Sequence, residues 1–104
     1  MNIKDLEVYQ ISMKIAEDIR DVVITWENFD KFSIGTQIVK SSDSIAANIS
    51  EEFGRYHYKE NKLFCYYARG SLYETKTWLT KAINRKLIGN NKSKEIEEDL
   101  YKLT

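Results

Sequence analysis

Two short segments carry the residue types that could do chemistry. The segment from Asn48 to Arg55 contains an amide, two carboxylates and a guanidinium, and the segment from Ala68 to Glu74 contains a hydroxyl and a carboxylate. Both lie within long stretches of helical hydrophobic period. A polar group inside a helical bundle must find a partner or cost about 1–3 kcal/mol. The segments therefore predict specific polar contacts between two helices.

Spacings of three and four residues place one row of polar side chains on one face of the second helix: Gln37, Ser41, Ser44, Asn48, Glu51 and Arg55. This row could meet Ser71 and Glu74 of the third helix, and one interpretation is a buried recognition or catalytic pocket with two carboxylates, Glu51 and Glu74. The other is an interhelical hydrogen-bond network that fixes the packing register. Paired-carboxylate catalysis requires a cleft and a perturbed acid, and the sequence indicates neither, so we favour the network and predict no catalytic residues. The predicted network comprises Ser44, Asn48, Glu51, Arg55, Ser71 and Glu74.

The sequence also argues against a metal or cofactor site. Di-iron sites in bundles require Glu-x-x-His motifs, and the single histidine, His57, has no glutamate three residues before it. The single cysteine, Cys65, has no partner of metal-binding or catalytic spacing. We therefore expect no metal and no cofactor.

Composition predicts one all-α domain. The chain has 104 residues, no proline and only four glycines, so helix breakers are rare. The numbers of basic and acidic residues are equal, 16 each, which argues against global attraction to nucleic acid or to anionic membranes. A lone cysteine fits a reducing compartment, and no apolar run is long enough to span a bilayer, so we expect a cytoplasmic protein.

Hydrophobic periodicity predicts an antiparallel up-and-down four-helix bundle over residues 1–104. The helices are expected at about 5–26, 33–53, 58–86 and 92–103. Asp5 is the expected first N-cap, residues 28–30 the first turn, and Gly54 a left-handed helix end. Gly70 within the third helix costs about 1 kcal/mol relative to alanine and is tolerable if another backbone approaches closely there. The fourth helix is too short to cover the groove of its neighbours, so a partner or another subunit covers the rest, or the groove stays open.

Charge is unevenly distributed along the chain. Residues 1–30 hold three basic and seven acidic side chains, net −4, whereas residues 61–89 hold six basic and one acidic, net +5. Basic and tyrosine residues alternate along the third helix and could follow a phosphate backbone and stack bases. The alternative is that this face pairs with the acidic first helix, within one subunit or across a subunit interface. The stripe contains Lys62, Tyr66, Arg69, Tyr73 and Lys76, with Lys81 and Arg85 further along.

Several spaced motifs resemble one bacterial family. They are Asp5-Leu6-x-Val8-Tyr9-Gln10, Gln37-Ile38, Ser44-Ile45-x-x-Asn48-Ile49-x-Glu51, Gly54-Arg55 and Ala68-Arg69-Gly70-Ser71-Leu72-x-Glu74. In this order they are similar to the four-helix-bundle proteins associated with intervening sequences of 23S ribosomal RNA genes. The resemblance extends to accessory proteins of diversity-generating retroelements. It implies a homopentameric ring and, for the retroelement relatives, binding of a reverse transcriptase and RNA.

Two functions are compatible with these observations. The leading hypothesis is a non-enzymatic, self-associating bundle, an assembly or adaptor protein that forms a ring-shaped homopentamer. The alternative is an accessory protein that binds RNA or DNA, or a nucleic-acid-processing protein, through the basic and aromatic stripe. Tyrosine and arginine are also enriched at protein interfaces, which favours the first.

Overall fold

The computed structural model describes residues 2–56 and 66–104, which form four helices. Helix α1 is Glu7–Val23, preceded by a 3₁₀ turn at Ile3–Asp5. Helix α2 is a continuous run of an α-helical turn (Asn28–Asp30), a π-helical stretch (Lys31–Gly35) and a long α-helix (Thr36–Tyr56). Helix α3 is Tyr66–Asn84 and helix α4 is Asn90–Lys102. The described residues contain no strand, and the predicted all-α four-helix bundle is confirmed.

The helices pack as neighbours around a square. Helix α1 packs against α2, α2 against α3, α3 against α4, and α4 returns to α1. Helices α1 and α3 are therefore diagonally opposed. One residue from each helix is almost fully excluded from solvent at the centre: Ile15, Ile45, Leu72 and Ile96. This shared core fixes which helical faces remain available for function.

The first connection differs from its prediction. Residues 28–30 form the first turn of α2 and not a loop, while α1 ends at Val23 and not near residue 26. The chain instead reverses just before α2, because Trp26 is buried and its indole Nε1 donates to the carbonyl of Leu87, 2.7 Å away. Asp5 lies in the 3₁₀ turn, so its predicted role as the cap of α1 is wrong; Leu6 holds that position.

The helix ends near the glycines also differ. Gly54 lies inside α2, which continues to Tyr56, so it does not end the helix. The left-handed residue among the described ones is Lys86, with φ 59°. The amide of Leu87 donates to Ala82 O and the amide of Lys86 to Ile83 O, which is the hydrogen-bond pattern of a Schellman end. Helix α3 therefore stops at Asn84, and the next helix starts soon after.

Close backbone packing occurs at Gly35 and not at Gly70. A Cβ built on Gly35 would lie 2.8 Å from Val23 Cγ1 and 3.1 Å from the carbonyl oxygen of Asp30. A Cβ built on Gly70 meets nothing within 4 Å. The close approach that would make Gly70 tolerable is therefore not found among the described residues. Gly70 is exposed on the side of α3 opposite the buried residues Ala68, Leu72 and Thr75, whereas Gly35 is buried.

These two glycines should respond oppositely to alanine. Gly35→Ala is expected to lower the free energy of unfolding by about 1–3 kcal/mol, because the new methyl overfills a packed contact. Gly70→Ala is expected to raise it by about 0.5–1 kcal/mol, because alanine favours the helix. Urea unfolding followed by circular dichroism measures both. Equal effects of the two substitutions would contradict this assignment.

Candidate interaction surface

The polar contact between α2 and α3 is made by part of the predicted set. Asn48 Nδ2 donates to Ser71 Oγ at 3.3 Å. A second contact was missed by the sequence reasoning: the hydroxyls of Thr75 and Ser41 are hydrogen-bonded at 2.9 Å, and both residues are buried. A signal for it existed, because Ser41 precedes Asn48 by seven residues and Thr75 follows Ser71 by four. Two interhelical hydrogen bonds thus lie on one seam.

The other predicted members do not join this seam. Arg55 pairs with Glu51 at 2.7 Å along α2, and both side chains are exposed. Glu74 accepts a hydrogen bond from Trp78 Nε1 at 3.1 Å along α3. Ser44 donates to the carbonyl of Lys40 in its own helix. Because the two carboxylates each bond within their own helix, the structure does not bring them together as a pair.

An ion network joins α1 to α4 and was also not predicted. The ammonium of Lys14 lies 2.7 Å from Glu95, 2.7 Å from Asp99 and 2.9 Å from Asp18. Lys92 reaches Glu95 at 3.3 Å and Asp18 at 3.6 Å. Hydrogen bonds to Asp99, then Glu95 and Asp18, raise the pKa of Lys14 above its ordinary value. Lys14 and Lys92 hold the pKa of Glu95 below its ordinary value of 4.5.

The carboxylates of this network could in principle hold a cation. Oxygen atoms of Asp18, Glu95 and Asp99 lie within 4.8 Å of one another. The ammonium of Lys14 contacts all three, so a metal ion would have to displace it. The cluster is therefore best understood as a clamp between two helices. Sequence periodicity missed it because Glu95 and Asp99 lie 81 and 85 residues from Lys14.

Four members of the basic and aromatic stripe lie on one outward face of α3. Tyr66 is 82% exposed, Tyr73 is 50% exposed, and Arg69 is exposed between them. The Lys76 ammonium lies 4.8 Å from the centre of the Tyr73 ring and 3.2 Å from Thr104 Oγ1. We call these four residues (Tyr66, Arg69, Tyr73, Lys76) the α3 stripe. The predicted member Lys62, like His57 and Cys65, lies outside the described residues.

The structure separates the two remaining candidates from the α3 stripe. Lys81 is five residues beyond Lys76, which turns it by roughly 140° around the helix. Its ammonium lies 5.1 Å from the centre of the Trp78 ring. Arg85 follows the end of α3 in the turn before α4. Neither residue extends the stripe, although both add positive charge to the same part of the molecule.

Sequence comparison assigns the chain to a family. The model of the family described as 23S rRNA-intervening sequence protein matches residues 4–104. The chain belongs to this family. No curated protein matches the chain. The match confirms the family that the spaced motifs resemble. It does not confirm a relation to the accessory proteins of retroelements. Of the helices described, none combines the length and apolar character needed to cross a membrane.

This 23S rRNA-intervening sequence family member also exposes apolar side chains at the other end of the bundle. Phe29 is 84% exposed, Phe32 is 71% exposed and Ile24 is 52% exposed. They lie where α1 ends and α2 begins, next to the π-helical stretch. Beside the α3 stripe, Tyr67 is 71% exposed. Extensive exposed aromatic surface normally marks an interface. The chemistry available at these surfaces is recognition by stacking, hydrogen bonding and charge.

Proposed function

We propose that this family member is a non-enzymatic, self-associating four-helix bundle that serves as an assembly or adaptor protein in the cytoplasm. The observation that carries the proposal is the exposure of large aromatic side chains at both ends of the bundle, from Phe29 and Phe32 to Tyr66 and Tyr67. Aromatic residues dominate the energetics of interfaces when buried. Leaving so many in water favours a partner that covers them.

A homopentameric ring is the proposed assembly. In a cyclic ring each subunit uses two different patches, one for each neighbour. The protein carries two separate exposed patches: one runs from Ile24 at the end of α1 to Phe29 and Phe32 at the start of α2, and the other is at the start of α3. The family resemblance supplies the expected number of five subunits.

A non-enzymatic role is supported by the placement of the candidate acids. Glu51 and Glu74 are each exposed and each bonded within their own helix. A carboxylate pair poised for acid–base catalysis needs shared access to one substrate and environments that push the two pKa values apart. The contacts of Glu51 and Glu74 favour structural and surface roles.

The mass in solution tests the assembly. Multi-angle light scattering at micromolar concentration should return five times the chain mass of 12.3 kDa. Replacing Tyr66 and Tyr67 together by serine should shift the mass toward that of one chain, because the interface loses two aromatic anchors. Lys40→Ser, on an exposed site of α2, is the matched control and should leave the mass unchanged. A wild-type chain that stays monomeric would refute the proposal.

A second candidate function is binding of RNA or DNA, or of a nucleic-acid-processing protein. The observation that favours it is the alternation of rings and cations in the α3 stripe, with the Lys76 ammonium held over Tyr73. Such alternation suits base stacking beside a phosphate backbone. Retention of structured RNA should fall steeply with salt, with a log–log slope close to minus the number of phosphates contacted. Absence of retention at low salt would remove this candidate.

A further inference from the structure

The cations of α3 and of the turn that follows it lack carboxylate partners within the described part of the chain. Residues 66–89 carry five basic side chains and one acidic one, net +4. None of the ion pairs among the described residues includes any of these cations. Lys76 contacts a tyrosine ring and a hydroxyl, and Lys81 contacts an indole ring. The positive charge of residues 66–89 is therefore not neutralised by ion pairs among the described residues. Its cations are Arg69, Lys76, Lys81, Arg85 and Lys86.

The outward face of α1 offers the opposite charge. Glu17 and Asp21 are exposed and four residues apart, so they lie on the same side of the helix. The contact recorded for Asp21 is a long one, 3.5 Å to the neighbouring Arg20. Glu17 forms none of the ion pairs among the described residues. Lys14, the other cation of α1, is already surrounded by three carboxylates.

These two faces cannot neutralise each other within one subunit. Helices α1 and α3 are diagonally opposed, separated by α2 and α4, so their outward faces point in opposite directions. Any contact between these two faces is therefore a contact between two copies of the chain. A contact between unlike faces of two copies is head-to-tail, and repetition of it closes into a ring when the rotation between subunits permits.

We propose that the α3 stripe of one subunit docks on the acidic face of α1, Glu17 and Asp21, of the next subunit. The inference rests on the proposed self-association and names the surfaces that carry it. Opposite charges give this contact its register and its direction. Tyr66, Tyr73 and Arg69 belong to the residue types that are enriched in buried interface centres. A second copy of this chain is thus the occupant that the charge pattern favours.

Charge reversal on each face tests the docking. The first variant combines Arg69→Glu and Lys76→Glu, and the second combines Glu17→Lys and Asp21→Lys. Each places like charges across the interface, and we expect each to raise the dissociation constant by about 100-fold in sedimentation velocity. A chain carrying all four substitutions restores opposite charges with the polarity reversed. It should return to within about tenfold of wild type.

A matched control reverses two charges away from both faces. Lys40→Glu with Lys94→Glu changes the net charge as the first variant does, at exposed sites of α2 and α4, and should leave association unchanged. Circular dichroism checks that every variant is folded. If wild type associates and neither reversal weakens it, the docking surfaces are wrong while self-association stands. If wild type is monomeric, self-association itself fails.

Two further outcomes would also overturn the docking. Failure of the four-substitution chain to recover would show that the α3 stripe meets something other than α1. Loss of RNA retention in the first variant, with its association unchanged, would assign the stripe to nucleic acid. The proposal is supported if the wild type associates, each two-substitution variant associates more weakly, and the four-substitution chain recovers.

Discussion

Lys14→Met is expected to lower the free energy of unfolding at neutral pH by about 1–3 kcal/mol. Lys14 joins α1 to α4 through its contacts to Glu95 and Asp99, and it also contacts Asp18 of its own helix. Lys92 of α4 adds a longer contact to Asp18. Removing Lys14 leaves the three carboxylates close together with only their longer contacts to Lys92 and Lys102 among the described ion pairs, and the Asp99 side chain is only 9% exposed. The half-exposed position of the ammonium limits the effect through solvent screening. Urea unfolding at neutral pH measures it.

The pH dependence of the same variant follows from the shifted pKa values. Because the pKa of Glu95 is lowered in the folded state, its stabilising contribution is present above its ordinary pKa of 4.5 and is lost as pH falls through the lowered value. The raised pKa of Lys14 means that its contribution is present below 10.5 and is lost only as pH rises above that value. The difference in the free energy of unfolding between Lys14→Met and wild type should therefore become smaller as the pH falls below 4.5.

Lys94→Met provides the control for this prediction. Lys94 is exposed on α4, and the ion pairs of the described residues do not include it. Its replacement should change the free energy of unfolding by less than about 0.5 kcal/mol. If Lys14→Met behaved like Lys94→Met at neutral pH, the network would have no clamping role.

Trp26→Ala is expected to lower the free energy of unfolding by about 3–5 kcal/mol, the largest effect of any substitution considered. The indole is 8% exposed and packs beside Gly35, where α1 passes into α2. Its Nε1 also donates to the carbonyl of Leu87 in the turn between α3 and α4, at 2.7 Å. The substitution therefore removes packing and a hydrogen bond that joins both halves of the bundle.

Two comparison variants separate these contributions. Trp26→Phe keeps most of the apolar volume but leaves Leu87 without its donor, so we expect a loss of about 1–3 kcal/mol. Trp78→Ala should cost less than Trp26→Ala, since Trp78 is only half-buried and its Nε1 bonds to the exposed Glu74. Unfolding in urea followed by far-ultraviolet circular dichroism is independent of either indole. Equal losses at the two tryptophans would contradict the anchoring role of Trp26.

The distribution of charge along the sequence does not show which charged helices lie next to each other in the fold. The sequence left open whether the acidic first helix meets the basic third helix within one subunit or between subunits. The diagonal placement of α1 and α3 removes the first possibility within the described residues. It also places Lys81 and Lys76 on different sides of α3, because a helix turns by about 100° per residue. Helix order around the square is a tertiary property and has no local signal.

The sequence by itself determined the all-α class, the number of helices and most of the buried stripe, including Ile45, Leu72 and Ile96. These follow from helical periodicity, because apolar residues recur at spacings of three and four along the sequence. Only the tertiary structure decided that Lys14 joins α1 to α4 and that Gly35 is closely packed. Each of these depends on which distant segments pack against each other. The periodicity of a helix shows which of its faces is buried but not which segment covers that face.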